Sequence, residues 1–376
     1  MEFDLDDDQR ALRDEARRFL EREAPVGYAR EMLEDPRGWR DDVWRKAADL
    51  GWTALPFPED SGGLGQGFVA LAILLAEMGR VVHPGPFLST VVLAGHAVLD
   101  AGTEAQRKEV LPAIAAGDLI ATLAFDESPA RWDEAGVALD ARSDGDRYRL
   151  SGEKRFVTDG AHAERLVVAA RGPGGVGLFL TEGREGVTAT PVAAMDQTRR
   201  AADLVLEDAP AELLGEPGWD RVQRVLDRAA VALAAEMLGG AERVLELSVD
   251  YAKERVQFDR PIGSFQAVKH RAAEMLLDVE SIRSAVYYAA WALERDHPDA
   301  SLAASMAKAY ASDAFRRVAA SGIQIHGGIG FTWEHDMHLY FKRAKGSEVA
   351  FGDATWHRER MAGLLRDRYA VPEGAG

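Results

Sequence analysis

The 376-residue chain contains no cysteine. It therefore has no disulfide scaffold, no thiolate nucleophile and no cysteine ligand for zinc or an iron–sulfur cluster. Basic residues are also in deficit, since 45 Lys and Arg stand against 62 Asp and Glu, for a formal net charge of -17. A nucleic-acid groove needs clustered cations that displace counterions from phosphates, so this balance argues against such a partner.

Long apolar runs are missing as well. The N-terminus, MEFDLDDDQR, is acidic where a signal peptide would be basic and then apolar, and no apolar segment approaches membrane-spanning length. We therefore expect a cytoplasmic protein without a membrane partner. The chain of 376 residues is longer than one usually built around a single hydrophobic core, so we expect two or three structural units.

Helical periodicity dominates the first third of the chain. Between Asp7 and Glu23, apolar residues recur at steps of three and four among charges, as in an amphipathic helix. Similar patterns follow in DVWRKAADLGW, FVALAILLAEMGR and EAQRKEVLPAIAAGD, separated by turns that contain Gly or Pro. These patterns predict an N-terminal helical domain over residues 1–117.

Short β-rich runs occupy the middle of the chain. They are LIATLAF, YRLSGEKRFV, ERLVVAAR, VGLFLT, VTATPVAAM and DLVLED. RSDGDRYRL predicts a hairpin in which Asp144-Gly145 supplies the positive φ angles of a tight turn. We expect a small β-barrel or sandwich domain over residues 118–215.

The helical period returns from Trp219 onward in much longer stretches. Three long helices and a shorter one, which carries WHRERMAGLLRDRY, predict an antiparallel four-helix bundle over residues 216–376. The fold class expected for the whole chain is therefore α+β, with a helical domain, a β domain and a bundle in that order.

Four blocks resemble the recurring motifs of the acyl-CoA dehydrogenase family. They are PEDSGGLGQG, RYRLSGEKRFVTDG, YAKERVQFDRPIGSFQAVKH and QIHGGIGFTWEHDMHLYFKRAK, and they follow the family's order across all three predicted domains. The resemblance extends from the first helix to about Arg360. It implies the fold of that family, FAD as the cofactor, an acyl-CoA substrate and a separate electron acceptor.

Members of the family bind FAD between the β domain and the bundle, and a neighbouring subunit holds part of the dinucleotide. On that resemblance, Arg255 corresponds to the cation that pairs with the pyrophosphate. Gln324, Gly327 and Gly328 correspond to the backbone that approaches the same group. The other residues that the resemblance implies as FAD contacts are Phe125, Asp126, Phe156, Val157, Thr158, Phe258, Gln266 and Thr355.

The family's catalytic base has no counterpart at either of its known positions. In most members a glutamate precedes a glycine near the C-terminus, and Phe351 stands there in this chain. Other members carry the base on the first bundle helix, about 26 residues before the arginine that corresponds to Arg255, where Ala229 is found. Neither side chain can accept a proton.

Two carboxylates are candidate replacements. Glu236 lies seven residues after Ala229 on nearly the same helix face and is the one charge in AAVALAAEMLGGA. It is either a base or a buried charge bonded to a specific partner. Asp353 lies two residues past Phe351, but a carboxylate before ATWHRERMAGLL also fits an N-cap.

Metal chemistry has little support in the sequence. His335 and His338 are three residues apart, whereas zinc motifs of this kind use a four-residue step and a third ligand. We therefore expect no metal site.

The family's small-residue loop after the first strand is replaced here by DESPARW, which retains Glu127. This difference leaves the contacts with coenzyme A open.

Three functions remain open on these observations. The first is desaturation of an acyl-CoA thioester by α-proton removal and β-hydride transfer, with Glu236 or Asp353 as the base. The second is a base-less partner subunit that contributes to FAD binding in a heterotetramer with a homologous chain, in place of a homodimer or homotetramer. The third is another flavin reaction on the same scaffold, such as an oxidase or monooxygenase.

Overall fold

The computed structural model describes residues 5–369; the outer ends of the predicted first and third domains lie outside these residues.

The N-terminal region is helical. The first helix begins with a capping box, in which the Asp6 carboxylate accepts from Gln9 N at 2.8 Å and the Gln9 side chain binds Asp6 N. The helices are α1 (Asp7–Glu23), α2 (Val26–Glu31), α3 (Asp41–Asp49), α4 (Gly67–Arg80), a π-helical segment (Leu88–Gly95) that continues into α5 (His96–Ala101), and α6 (Glu104–Ala115).

Seven strands then form one sheet. They are β1 (Ala121–Ala124), β2 (Asp140–Asp144), β3 (Arg147–Thr158), β4 (Arg165–Gly172), β5 (Gly175–Thr181), β6 (Val187–Pro191) and β7 (Ala201–Leu213). The sheet closes on itself, because β4 pairs with β5 and β2 while β7 pairs with β5, β3 and β6. Its interior is a separate hydrophobic cluster that includes Leu150, Leu166 and Phe179. Closure leaves few unpaired strand edges.

The hairpin between β2 and β3 turns one residue later than the sequence predicted. Asp144 pairs with Arg147 as the last residue of β2, so Gly145 and Asp146 form the turn. Only Gly145 has a positive φ there, of 68°. The prediction of two positive φ angles at Asp144-Gly145 was therefore wrong, because a turn whose first central residue is glycine needs only that one.

Long helices follow the sheet. They are α7 (Trp219–Glu254), α8 (Gln266–Glu294), α9 (Ala300–His326), α10 (Met337–Val349) and α11 (Ala354–Tyr369), with two short strands, β8 (Val256–Gln257) and β9 (Arg260–Pro261), before α8. The sequence pattern had missed α10, which is short and rich in charges. None of the helices within residues 5–369 combines the length and the apolar character needed to cross a membrane. The predicted α+β architecture is confirmed.

The middle of α7 is enclosed by other elements. Every residue from Ala229 to Ala241 is buried, and α4, α8, α9 and α10 all pack on this helix. Glycine permits the closest approach: a Cβ at Gly239 would lie 1.7 Å from the carbonyl oxygen of Ala76 on α4, and one at Gly79 would lie 2.0 Å from that of Glu236. The two backbones therefore touch, and α7 links the N-terminal helices to the bundle.

We predict that Gly239→Ala lowers the free energy of unfolding by about 2 kcal/mol or more, because the added methyl group meets a backbone oxygen that cannot move alone. Thermal or urea unfolding measures this. Gly363→Ala in α11 is the matched control, since a Cβ there meets nothing within 4 Å. We expect it to stabilise the helix by up to about 1 kcal/mol. Equal effects of the two substitutions would contradict the close contact.

Candidate active site

A cavity of about 650 Å³ opens where the β domain meets the helices. Its volume lies within the usual range for small-molecule sites. The walls are mainly apolar, with a few polar groups that face inward. Residues from both sides contribute: Asp126, Phe156 and Thr158 from the β domain, and Leu233, Val349 and Phe351 from the helices.

The β wall is shaped by a bulge in β3. The register with β7 shifts between Lys154 and Val157, and Phe156 takes a φ of 50°. The Phe156 amide donates to the Asp203 carboxylate at 3.0 Å, and its side chain is 59% exposed. The bulge therefore turns Phe156 toward the cavity, whereas Val157 stays in the interior of the sheet.

The segment after β1 contributes the acidic residue Asp126 to the cavity wall. Asp126 is tied to β3 by its carbonyl oxygen, which accepts from Arg155 N at 2.7 Å. Its Oδ1 is inaccessible to solvent and has no hydrogen-bond partner. Burial raises the pKa of Asp126 to about 6, opposed by the charge of Lys154 and by the Trp132 indole. A pKa of about 6 means that Asp126 loses its proton in the mildly acidic range. Its neighbour Phe125 is buried in the hydrophobic core.

A buried ion pair holds that segment in place. Lys154 is fully buried, and its Nζ donates to Glu127 Oε1 at 2.6 Å and to the Phe125 carbonyl oxygen at 3.0 Å. The Glu127 carboxylate also accepts from Ala138 N and Leu139 N. Burial lowers the pKa of Lys154 to about 8 despite this partner. The retained Glu127 thus serves as an anchor for the loop.

The backbone of the turn that carries Phe351 is held by side chains of α9 and α11. Phe351 has a φ of 53° and Gly352 a φ of 96°, so both residues are left-handed. Lys308 on α9 is fully buried and donates to the carbonyl oxygens of Gly352 at 2.8 Å and Glu348 at 3.2 Å. His357 Nε2 lies 3.1 Å from the Phe351 carbonyl oxygen, which can only accept, so its proton is on Nε2.

Asp353 acts as a helix cap. Its Oδ1 accepts from Trp356 N at 2.8 Å, in the first turn of α11. The side chain is not part of the cavity wall. This geometry favours the N-cap interpretation over a catalytic one.

Glu236 is engaged in a buried charge network. Its carboxylate accepts a short hydrogen bond from Arg199 Nη2, and Arg343 Nη1 lies 4.0 Å away. Arg199 lines the cavity, whereas Glu236 lies outside the lining. The contacts therefore favour the interpretation of Glu236 as a paired charge.

Two polar residues near the cavity were not identified from the sequence. Arg199 lies in the loop between β6 and β7, where no periodicity marks burial. Lys308 could have been predicted from the sequence, because it is the one charged residue in AASMAKAYAS, a run of mostly small residues. The same argument that singled out Glu236 applies to it.

The remaining predicted cofactor residues lie away from the cavity. Arg255 follows the last residue of α7, and Gln324 lies in the last turn of α9; Tyr251 and His326 stack at 4.5 Å and bring these two helix ends together. None of the residues in this group lines the cavity, and all are exposed: Arg255, Phe258, Gln266, Gln324, Gly327, Gly328 and Thr355.

The cavity residues fit the ring system of FAD. A planar aromatic ring with a polar edge needs apolar walls and a few inward-facing hydrogen-bonding groups. Phe156 supplies an aromatic surface, and the Thr158 hydroxyl makes no hydrogen bond with the described residues. The exposed group around Arg255 fits a pyrophosphate, but on a surface separate from this cavity.

Comparison with known proteins places these features in one family. The N-terminal domain of acyl-CoA dehydrogenases matches residues 6–118, and their C-terminal domain matches residues 216–365. The acyl-CoA dehydrogenase IpdE2 of Mycobacterium tuberculosis (strain ATCC 25618 / H37Rv) is 36% identical over 342 residues, or 91% of this chain and 92% of that protein.

Solved structures give the same result. A variant of the Tcur3481-Tcur3483 steroid acyl-CoA dehydrogenase superposes with a TM-score of 0.90 at 33% identity, over 97% of this chain and 99% of that chain. The ChsE4-ChsE5 complex from Mycobacterium tuberculosis also has a TM-score of 0.90, at 29% identity, over 98% of this chain and 100% of that one.

We predict that Asp126→Asn changes how stability depends on pH. The folded-state pKa of about 6 lies above the unfolded value near 4, so the carboxyl group stabilises the fold at low pH and loses this contribution as pH rises through 6. Asparagine has no such proton to lose. The stability of the variant relative to the native chain should therefore increase from pH 4 to 7, by at most about 3 kcal/mol.

Chemical unfolding at each pH measures this difference. Asp146→Asn, at an exposed turn of the β2–β3 hairpin, is the control. Parallel pH profiles for Asp126→Asn and the native chain would show that the carboxyl group is not held in a desolvated site.

Proposed function

The chain belongs to the acyl-CoA dehydrogenase family, FAD-dependent oxidoreductases that act on acyl-CoA, and we propose that it serves α,β-desaturation as a subunit without its own catalytic base. The observation that carries this proposal is the turn at Phe351. Its backbone is held by Lys308 and His357 beside the cavity, yet it presents a phenyl ring where the family has a carboxylate.

The desaturation has two halves. A base takes the proton next to the thioester carbonyl, and a hydride leaves the adjacent carbon as the double bond forms. FAD, when bound, supplies the hydride acceptor. In this chain Phe156 and Thr158 would line the ring site, and Phe351 would exclude water from the same space. We expect neither Glu236 nor Asp353 to take the proton, because each carboxylate already accepts a hydrogen bond within the protein.

The exposed surface around Arg255 supports a paired assembly. Arg255 and Gln324 lie at one end of the bundle, outside the chain's own cavity. In the family's arrangement such groups contact the dinucleotide of an adjoining subunit. A chain that lacks a base can therefore still complete the FAD site of a homologous partner that has one. The similarity to the ChsE4-ChsE5 complex, which joins two chains, is consistent with this role.

A self-sufficient enzyme is the second candidate. The observation that favours it is Asp126, a residue of the cavity wall whose pKa is raised to about 6 by burial. Such a group has the basicity of a general base near neutral pH. The two candidates differ in whether the isolated, FAD-loaded chain reduces its flavin when it receives an acyl-CoA.

We predict that Phe351→Glu installs a working base in the isolated, FAD-loaded chain. The turn is already shaped, and a positioned base typically contributes a factor of about 100 to 10,000 in rate. Anaerobic mixing with a panel of acyl-CoA esters, followed by flavin absorbance, measures the gain. Phe351→Gln is the control, since it has similar size but accepts no proton at neutral pH.

Equal reduction by the glutamate and glutamine variants would show that this turn is not the base position. Rapid reduction by the native chain alone would support the self-sufficient enzyme, and loss of that activity in Asp126→Asn would identify its base. Oxygen consumption without an electron-acceptor dye would instead indicate the oxidase class.

We also predict that Arg255→Gln lowers the FAD content of a co-expressed pair formed with a homologue that retains the glutamate. Loss of a charge-assisted bond to phosphate should weaken FAD binding about 10- to 100-fold. Lys253→Gln is the matched control, because Lys253 is an exposed cation two residues earlier, in the last turn of α7. An unchanged flavin-to-protein ratio for Arg255→Gln would rule out this contact.

A further inference from the structure

Arg199 presents unused hydrogen-bond donors to the cavity. Its side chain is 17% exposed, and it lines the wall near the apolar residues Met195 and Leu233. Only its Nη2 makes a hydrogen bond, to Glu236. Nε and Nη1 have no partner among the described residues and are not sealed from solvent. Two N–H-bearing groups therefore remain available to a molecule in the cavity.

The guanidinium is fixed before any ligand arrives. Glu236 holds it from the α7 side, and the neighbouring Arg343 is held by Asp196 at 2.8 Å and by the Thr198 hydroxyl at 2.7 Å. Arg343 Nη1 also lacks a partner in this buried cluster. The cluster thus has more donors than acceptors, and its geometry is set by residues from α7, α10 and the β6–β7 loop.

The charge balance indicates which acceptor would fit. Burial works against the charged form of Arg199, but the carboxylates of Glu236, Asp196 and Asp159 more than compensate and raise its pKa. Glu236 already pairs with Arg199, and Asp196 with Arg343, so each of these cations has its own carboxylate. A neutral oxygen would take up the free donors of Arg199 without adding another buried charge.

We propose that Arg199 hydrogen-bonds a neutral oxygen, keto or hydroxyl, carried by the acyl group of the substrate. The chain would then bind oxygenated acyl-CoA esters in preference to plain alkyl ones. This inference rests on the proposed function, because it assumes that an acyl-CoA occupies the cavity. An unsubstituted acyl group would leave the donors of Arg199 unpaired in an apolar site. A binding site discriminates strongly against a ligand that leaves its buried polar groups without a hydrogen-bond partner.

Binding of CoA thioethers tests the preference without turnover. These analogues lack the thioester carbonyl that acidifies the α proton, so they cannot be desaturated. A series with a keto group at successive positions is compared with alkyl and terminal-carboxylate analogues of equal length, by calorimetry on the FAD-loaded protein. We expect one keto position to bind roughly 10- to 100-fold more tightly than the alkyl analogue.

The double variant Arg199→Met/Glu236→Met should abolish that preference, so that the keto and alkyl analogues bind equally. It removes both charges, so no unpaired carboxylate remains buried. Arg199→Lys, which keeps the charge but has fewer donors, should retain part of the preference. Thermal unfolding of each variant verifies the fold.

The outcomes separate the two claims. If no analogue binds, the cavity is not an acyl-CoA site, so desaturation at this chain's own cavity and the role of Arg199 both fail, whereas a contribution to a partner's FAD site would stand. If all analogues bind equally, or if the keto preference survives in the double variant, the role of Arg199 is wrong while the function stands. Tightest binding by the carboxylate analogue would overturn the choice of a neutral oxygen.

Discussion

The complete burial of the middle of α7 is the constraint on which the other features depend. A helix enclosed by α4, α8, α9 and α10 has no solvated face between Ala229 and Ala241. A charge in this segment must therefore find a partner within the protein. Glu236 finds Arg199, and this pairing brings a cation from the β6–β7 loop to the wall of the cavity. The packing of the helices thus determines the polarity of the site.

The cavity combines a preserved scaffold with an altered functional group. Lys308 and His357 hold the turn at Phe351 through backbone carbonyl oxygens, so they are insensitive to the side chain at that position. Under the proposed function, a change from carboxylate to phenyl leaves these backbone contacts intact while it removes the proton acceptor. The turn would then persist in this chain without the chemistry it supports in the family.

The chain has two surfaces suited to parts of one dinucleotide. The cavity has apolar walls and isolated polar groups, whereas the region around Arg255 and Gln324 is open and polar. None of the predicted FAD contacts around Arg255 lines the cavity within one chain, so we expect an adjoining subunit to matter for both proposed roles. The charge network at Arg199 adds a third feature, because free donors in an apolar cavity select for oxygen on the ligand.

Local sequence patterns determined the order of the domains, most strands and the long helices, because periodicity reports which face of an element is buried. The motif blocks also identified the family, and the phenylalanine at position 351 predicts that the base is missing. Even the cap at Asp353 could be read locally, since an N-cap depends on only three following residues. Helix α10 escaped detection because it is short and charged.

Tertiary structure alone decided the partners of the buried charges. Glu236 and Arg199 are 37 residues apart, and nothing in either local pattern specifies the other. The same holds for the position of Asp126 in the cavity wall and for the hydrogen bond from Lys308 to the turn 44 residues away. Periodicity encodes how much of a side chain is buried, but the identity of its partner depends on how distant elements pack.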